Sequence, residues 1–115
     1  MKTYSGSCHC GEVRFEVTVE LTSAGACNCS ICGRVGWLMT SVDPAAFQLV
    51  SGAGAQTDYQ FGRKTTHHLF CAKCGIHAYG TYTADGQEKI LINLRCLEGV
   101  DAEALPRQNY DGKSY

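Results

Sequence analysis

The sequence lacks an excess of charge of either sign and any long apolar run. Its 10 Lys and Arg residues nearly balance 11 Asp and Glu residues, for a formal net charge of −1. Such a chain has no field that would gather nucleic acid or an anionic membrane. No apolar run approaches the roughly 18 residues of a membrane helix, and the first six residues carry no signal-peptide core. We therefore expect a soluble, cytoplasmic protein that binds neither nucleic acid nor membranes.

Length and composition predict a small β domain. At 115 residues the chain suits one domain, so we predict a single domain over residues 1–115. Hydrophobic residues make up 44% of the chain, and 13 glycines separate short runs rich in Val, Ile, Phe and Tyr. Such runs are typical of strands joined by tight turns.

Two segments alternate apolar and polar residues as strands with one buried face do. They are residues 13–19 and residues 89–97, and in the second Cys96 shares a face with three aliphatic residues. Weaker patterns predict strands at residues 37–42, 47–50, 57–61, 66–70 and 77–83. Asp85 and Gly86 predict a hairpin turn. Asp101 is a candidate N-cap of one helical turn that ends before Pro106.

Eight cysteines are the unusual feature of the composition. A reducing compartment does not favour disulfides, so metal binding is the natural use of so many thiols. The alternative is a secreted disulfide scaffold. The missing signal peptide and the Cys-x-Cys and Cys-x-x-Cys spacings favour metal.

Four cysteines form a candidate closed metal site. Cys71 and Cys74 have the spacing of a zinc knuckle, in which two thiolates two residues apart grip one ion. Cys8 and Cys10 offer two more thiolates from a distant part of the chain. Four thiolate ligands are typical of structural zinc.

Cys27, Cys29 and Cys32 form a second cluster without a matching pair elsewhere. Zinc with three protein ligands keeps one position for substrate or water, as in catalytic sites. The alternative is a fourth protein ligand that closes the site, for which Cys96 and His9 are candidates. Each cluster ends in Cys-Gly, and we expect the glycines to adopt positive φ so that backbone amides point at the sulfurs.

The cysteine motifs resemble the glutathione-dependent formaldehyde-activating (centromere protein V) family. The matching segments are Gly6-Ser7-Cys8-His9-Cys10-Gly11, Cys27-Asn28-Cys29-Ser30-Ile31-Cys32, Phe70-Cys71-Ala72-Lys73-Cys74-Gly75-Ile76-His77, Ile92-Asn93-Leu94-Arg95-Cys96-Leu97 and Asp111-Gly112. The resemblance implies a mainly β, Mss4-like fold with small antiparallel sheets packed around a structural zinc.

The resemblance also implies roles for the clusters. Structural zinc would lie on Cys8, Cys10, Cys71 and Cys74, and a second, catalytic zinc on Cys27, Cys29 and Cys32. The implied activity is that of a carbon–sulfur lyase, which in reverse joins glutathione and formaldehyde to S-hydroxymethylglutathione. A small thiol and a small aldehyde are thus the expected partners. The rival hypothesis is a non-catalytic, zinc-stabilised interaction module.

Other side chains carry weaker signals. His67, His68 and His77 lie near the clusters, but we interpret each as a surface or packing residue rather than a general base. Arg34 and the Arg63-Lys64 pair are candidate partners of glutathione carboxylates, although isolated basic residues more often form a solvated face. The aromatic residues Trp37, Tyr59, Tyr79 and Tyr82 are predicted core residues, with a pocket near the second zinc as the alternative. The oligomeric state is not predicted.

Overall fold

The structure is a computed structural model that describes residues 1–62 and 64–111. Within these ranges ten strands form two sheets, so the protein is mainly β, as predicted. No helix in the described ranges is long and apolar enough to cross a membrane.

The smaller sheet has three antiparallel strands in the order β1-β2-β5. They are β1 (Lys2–Ser7), β2 (Arg14–Val19) and β5 (Phe47–Ser51). The alternation predicted for residues 13–19 is confirmed as far as Val17, since Val13, Phe15 and Val17 are buried and the polar residues between them are exposed. The last two residues of the segment are both half-buried.

The larger sheet has seven strands in the order β10-β3-β4-β9-β8-β7-β6. Their bounds are β3 Ala24–Cys27, β4 Met39–Val42, β6 Gln56–Tyr59, β7 Thr66–Cys71, β8 Tyr79–Ala84, β9 Gln87–Asn93 and β10 Arg107–Tyr110. β10 runs parallel to β3, whereas the other pairs are antiparallel. The expected small antiparallel sheets are thus corrected to one small antiparallel sheet and one large mixed sheet.

In the part of the chain that the structure describes, helical structure is confined to single turns. The α-helix α1 covers Cys32–Val35 and ends at Gly36. Turns of 3₁₀ helix cover Pro44–Ala46, Ala53–Ala55, Leu94–Cys96 and Ala102–Ala104. The predicted turn after Asp101 is confirmed, because the Asp101 carboxylate accepts the Glu103 backbone N–H at 3.2 Å.

The strand predicted over residues 89–97 is too long at its end. β9 stops at Asn93, whose side-chain oxygen accepts the Arg95 backbone N–H at 3.1 Å and so turns the chain into 3₁₀ helix. Cys96 therefore does not continue the aliphatic face of β9. The predicted hairpin is confirmed: Asp85 and Gly86, with φ of 53° and 75°, join strands that pair at Ala84 and Gln87, as a type I′ turn does.

An aromatic cluster joins the two sheets. Phe15 and Phe47 of the small sheet lie 5.4 Å apart, and the Tyr79 ring of β8 lies 6.1 Å and 4.7 Å from them. All three belong to, or pack against, one buried cluster that also contains Cys8 and Cys71. The core therefore extends to the four-cysteine group.

The turn at Gly52 is a sensitive point of this framework. Gly52 has φ of 94°, and a Cβ there would lie 2.5 Å from the Glu12 carbonyl oxygen. Gly52→Ala should lower the free energy of unfolding by about 1–3 kcal/mol, because overpacking adds to the strain of left-handed backbone. Gly54 is the matched control, since a Cβ there meets nothing within 4 Å. Urea unfolding at fixed metal concentration checks this, and equal stabilities of the two variants would contradict it.

Candidate metal centres

Cys8, Cys10, Cys71 and Cys74 come together at the edge of the core. Their sulfur atoms all lie within 4.8 Å of one another. The Cys10 sulfur lies 3.6 Å from those of both Cys8 and Cys71, well beyond the roughly 2 Å of a disulfide. Cys8 follows β1 and Cys71 ends β7, so the group joins the small sheet to the large one.

Tight turns shape this four-cysteine group. The Gly75 N–H donates to the Cys71 carbonyl at 2.8 Å, and Gly75 has φ of 80°. Gly11 has φ of 85°, and the Val13 N–H donates to the Cys8 sulfur at 3.3 Å. The expectation of positive φ after each cluster is thus confirmed at Gly11 and Gly75. It is wrong at Gly33, which belongs to α1, where the backbone is already helical.

Proton affinities within the four-cysteine group are unequal. Burial opposes ionisation of Cys74, but hydrogen bonds from the Cys10 and Ile76 backbone and from neighbouring thiols lower its pKa to about 6. The Glu12 N–H favours ionisation of Cys10, yet desolvation and the Cys71 and Cys8 thiols raise the pKa of Cys10 to about 12. One thiolate is therefore readily formed near neutral pH, and the nearby sulfurs resist a second negative charge unless a cation neutralises it.

Cys27, Cys29 and Cys32 form the second group, again with sulfurs within 4.8 Å. Cys27 ends β3 and Cys32 begins α1, so one short loop presents all three. The Cys32 N–H donates to the Cys29 sulfur at 3.4 Å. Burial raises the pKa of Cys32 to about 12, although the Trp37 side chain acts in the opposite direction. Burial also acts to raise the pKa of Cys29, but hydrogen bonds from the Cys32 backbone and from the neighbouring thiols outweigh it, so the pKa of Cys29 is lowered.

No fourth side chain completes this three-cysteine group within the described residues. Among their His, Cys, Asp and Glu side chains, only the three thiols cluster closely enough to share an ion. Cys96 lies instead near Cys8 and Cys74, whose charges help to raise its pKa to about 11 after burial. His9 lines a cavity beside the four-cysteine group. Neither candidate fourth ligand is in the group.

Comparison with known proteins agrees with the cysteine pattern. The sequence profile of the glutathione-dependent formaldehyde-activating enzyme family matches residues 3–110. The chain belongs to this family. A crystal structure of a Rhodobacter sphaeroides protein is similar, with 34% sequence identity and a TM-score of 0.80 over 90% of this chain and 99% of that one. The family resemblance inferred from the cysteine motifs is confirmed.

The two groups of this family member suit soft metal ions. Thiolate-only donor sets select ions such as Zn²⁺ over hard cations such as Mg²⁺ and Ca²⁺. The second group adds an independent observation, since the Trp37 indole Nε1 is buried and, among the described residues, meets no acceptor in hydrogen-bond geometry. That N–H favours the ionised form of Cys32. A Cys32 thiolate, the form in which cysteine binds metals, would accept this orphaned donor, so the residues fit a bound metal.

A cavity of ≈ 440 Å³ adjoins the three-cysteine group, whose sulfur-bearing residues form one wall. We call it the apolar cavity. Besides the cysteines, its lining is Ile31, Met39, Ser41, Phe61, Thr66, His68, Tyr82, Leu91 and Tyr110. Tyr82 thus occupies the predicted alternative position, in a pocket near the second group. Tyr79 is in the core, and Tyr59 is exposed.

A larger cavity of ≈ 640 Å³ lies beside the four-cysteine group. We call it the basic cavity, because Arg34, Arg95, His9 and His77 line it without any acidic residue. Arg34 also donates to the Ser30 carbonyl at 2.7 Å. Lys64 is exposed, and Arg63 and Gly112 lie outside the described residues.

His68 is the site residue whose position the sequence did not reveal. It is 8% exposed and lines the apolar cavity, whereas adjacent His67 bonds Asp58 through Nδ1 at 2.6 Å. Burial and the charges of His77 and His67 lower the pKa of His68 against the effect of Asp58. The alternation of β7 separates the two histidines, but which one faces inward depends on pairing with β6 and β8.

The Trp37 contact gives a prediction for the metal-loaded protein. Trp37 is the single tryptophan, so its indole N–H gives one resonance. Cys32→Ala should move this resonance upfield and speed its exchange with water, because the sulfur acceptor is lost. Cys96→Ala is the control and should leave both unchanged. ¹⁵N–¹H correlation spectra measure both quantities, and an unaltered indole resonance in Cys32→Ala would show that Cys32 is not the acceptor.

Proposed function

We propose that the chain is a single Mss4-like domain over residues 1–115 that binds two zinc ions and forms or cleaves thiol–aldehyde adducts. The four-cysteine group would hold a structural ion, and Cys27, Cys29 and Cys32 a catalytic one. The observation that carries the proposal is a three-thiol group, without a fourth side-chain ligand in the described residues, that forms a wall of a cavity. The family suggests glutathione and formaldehyde, or related small molecules, as the reactants.

The reaction needs only modest help from the protein. Zinc, when bound, supplies Lewis acidity that lowers the pKa of a coordinated thiol. In adduct formation the sulfur bonds to the aldehyde carbon, and the C=O π electrons move to oxygen. The thiol proton ends on that oxygen, so no oxidant or reductant is required. Cleavage is the reverse and defines a carbon–sulfur lyase.

His68 is the side chain best placed to carry that proton. It lines the apolar cavity together with the three cysteines, and its lowered pKa keeps the imidazole neutral at pH 7. A neutral imidazole can accept the thiol proton and return it to the aldehyde oxygen. Ser41 and Tyr82, whose hydroxyls hydrogen-bond each other at 3.0 Å, offer a further polar contact for the new hydroxyl.

Cytoplasmic location is part of the same proposal. All eight cysteines lie in the described residues, and none is joined in a disulfide. Thiols that must stay free to bind metal suit a reducing compartment.

A non-catalytic interaction module is the second candidate. Tyr59 and Phe61 favour it, since both are exposed and their rings stack at 5.8 Å. Exposed aromatic pairs are common in protein interfaces. In this case the three-cysteine group would serve only to hold the loop before α1.

Cys29→Ser separates the two candidates. If the second group is catalytic, the wild-type protein should accelerate exchange between glutathione, formaldehyde and their adduct, and Cys29→Ser should lose this acceleration, because a ligand of the proposed ion is gone. Cys96→Ser should retain it, since Cys96 belongs to neither group. Exchange NMR at equilibrium measures the rates.

X-ray absorption on the same samples tests the metal side directly. The proposal expects two zinc ions per chain, one with four sulfurs and one with three sulfurs and a light atom. Four sulfurs at both ions, or acceleration that survives Cys29→Ser, would contradict catalysis at this group.

The role of His68 predicts a pH dependence. Its folded pKa is lowered from 6.5, so the neutral form persists as pH falls to below 6.5 and is lost only through the lower folded value. Because His68 stays neutral above pH 7, its protonation should not change the exchange rate there, and the rate should decline as pH falls below 6.5. His68→Gln should reduce the rate by about 10²-fold and remove this acidic limb.

His67→Gln is the matched control for that experiment. His67 is adjacent in β7 but lines a different surface, with Leu69 and Thr81. Its pH profile should match that of the wild type. A His68→Gln profile that keeps the acidic limb would exclude His68 as the proton carrier.

A further inference from the structure

The lining of the apolar cavity is unusual for a site that accepts glutathione. Among its described lining residues there is no Lys, Arg, Asp or Glu. Met39, Phe61, Leu91 and Tyr110 present carbon surface instead, and the hydroxyls of Ser41 and Tyr82, which bond each other, are uncharged. Glutathione carries two carboxylates and an ammonium group near pH 7. Among the described residues, the cavity lining offers no charged partner to any of these groups.

The described cations that could meet carboxylates lie outside the apolar cavity. Arg34 and Arg95 line the basic cavity, and Arg95 is already paired with Glu103. Arg34 also lies beside Ile31 and Phe61 in a separate surface depression, but neither arginine lines the apolar cavity itself. Arg34 and Cys32 are two positions apart in α1, so they do not face the same way. The three thiols therefore open toward carbon surface.

Exposed aromatic side chains at the mouth of the apolar cavity are independent evidence for a binding site. Phe61 is 41% exposed and Tyr110 is 48% exposed, although both are large apolar side chains. The Phe61 ring also stacks on that of His68 at 5.5 Å. Exposed aromatic rings around a concave surface are typical of a binding site for an apolar group. A volume of ≈ 440 Å³ falls in the usual range of small-molecule sites.

We propose that the apolar cavity binds an uncharged aromatic or branched aliphatic substituent, so that the adduct handled at Cys27, Cys29 and Cys32 carries such a group. The inference rests on the proposed function for the reaction, but binding in the cavity can be tested without it. The substituent can belong to the thiol or to the aldehyde. In either case formaldehyde, which has no substituent, fills only the reacting end of the site.

Methionine methyl groups offer a direct probe of binding. The chain has two methionines. Met39 lines the apolar cavity, and Met1 is 96% exposed and serves as an internal control. The zinc-loaded protein is labelled with ¹³C-methyl methionine and studied by NMR. Toluene and benzyl mercaptan should each shift the Met39 methyl resonance and leave the Met1 resonance unchanged. Glutathione at the same concentration should shift the Met39 signal less, because its thiol carries no apolar substituent into the cavity.

A variant at the mouth sharpens this binding test. Phe61→Ala should weaken benzyl mercaptan binding by several-fold to about tenfold, since one aromatic contact is lost. Val50→Ala is the control, because Val50 is exposed on the small sheet and does not line the cavity. Both variants change an exposed side chain, so folding should survive. Equal affinities of the two variants would overturn the assignment.

Two reactant pairs distinguish the source of the substituent. The reference is the exchange rate with glutathione and formaldehyde. If benzyl mercaptan and formaldehyde exchange faster than this pair, the substituent belongs to the thiol. If glutathione and phenylacetaldehyde exchange faster, the substituent belongs to the aldehyde. A Met39 shift with glutathione equal to that with benzyl mercaptan, or no shift with either apolar probe, would overturn the inference. A Met39 shift without acceleration of any pair would refute the proposed reaction and leave the cavity assignment standing.

Discussion

The convergence of four thiols from two distant turns is the constraint on which the rest of the structure depends. Cys10 and Cys71 are 61 residues apart in the chain, yet their sulfurs lie 3.6 Å apart. One pair follows a strand of the small sheet and the other ends β7 of the large sheet. These thiols can all ionise together only if a cation neutralises their negative charge. The free energy of binding a metal here would therefore also stabilise the association of the two sheets.

The two cysteine groups differ in what they hold together. The four-cysteine group bridges separate sheets, whereas the three-cysteine group lies within one loop between β3 and α1. An ion that bridges only neighbouring residues restricts a short loop and adds little to the long-range order of the chain. The three-cysteine group is therefore freer to change its ligands without unfolding the domain. Its place on a cavity wall suits that freedom.

Much of the site follows from the sequence because cysteine spacing is local. The clusters of two, two and three thiols predicted their grouping, and the structure brings the same residues together. Strands in which apolar and polar side chains do not alternate are harder to predict from the sequence. β1 reads KTYSGS and β10 reads RQNY, and β10 is exposed throughout. Pairing with a neighbouring strand, rather than burial of its own side chains, holds such a segment, so no hydrophobic pattern marks it.

The position of His68 shows how the four-cysteine group influences the surroundings of the three-cysteine group. Adjacent strand residues point to opposite faces, so a slip of one residue in β7 would turn His67 instead of His68 into the apolar cavity. The register is fixed by pairs such as Tyr59 with His68 and Thr66 with Tyr82. It is also fixed at the end of β7, where Cys71 must reach the sulfurs of Cys8 and Cys10. Cys71 lies three residues after His68, so the four-cysteine group helps to decide which imidazole lines the cavity beside the three-cysteine group.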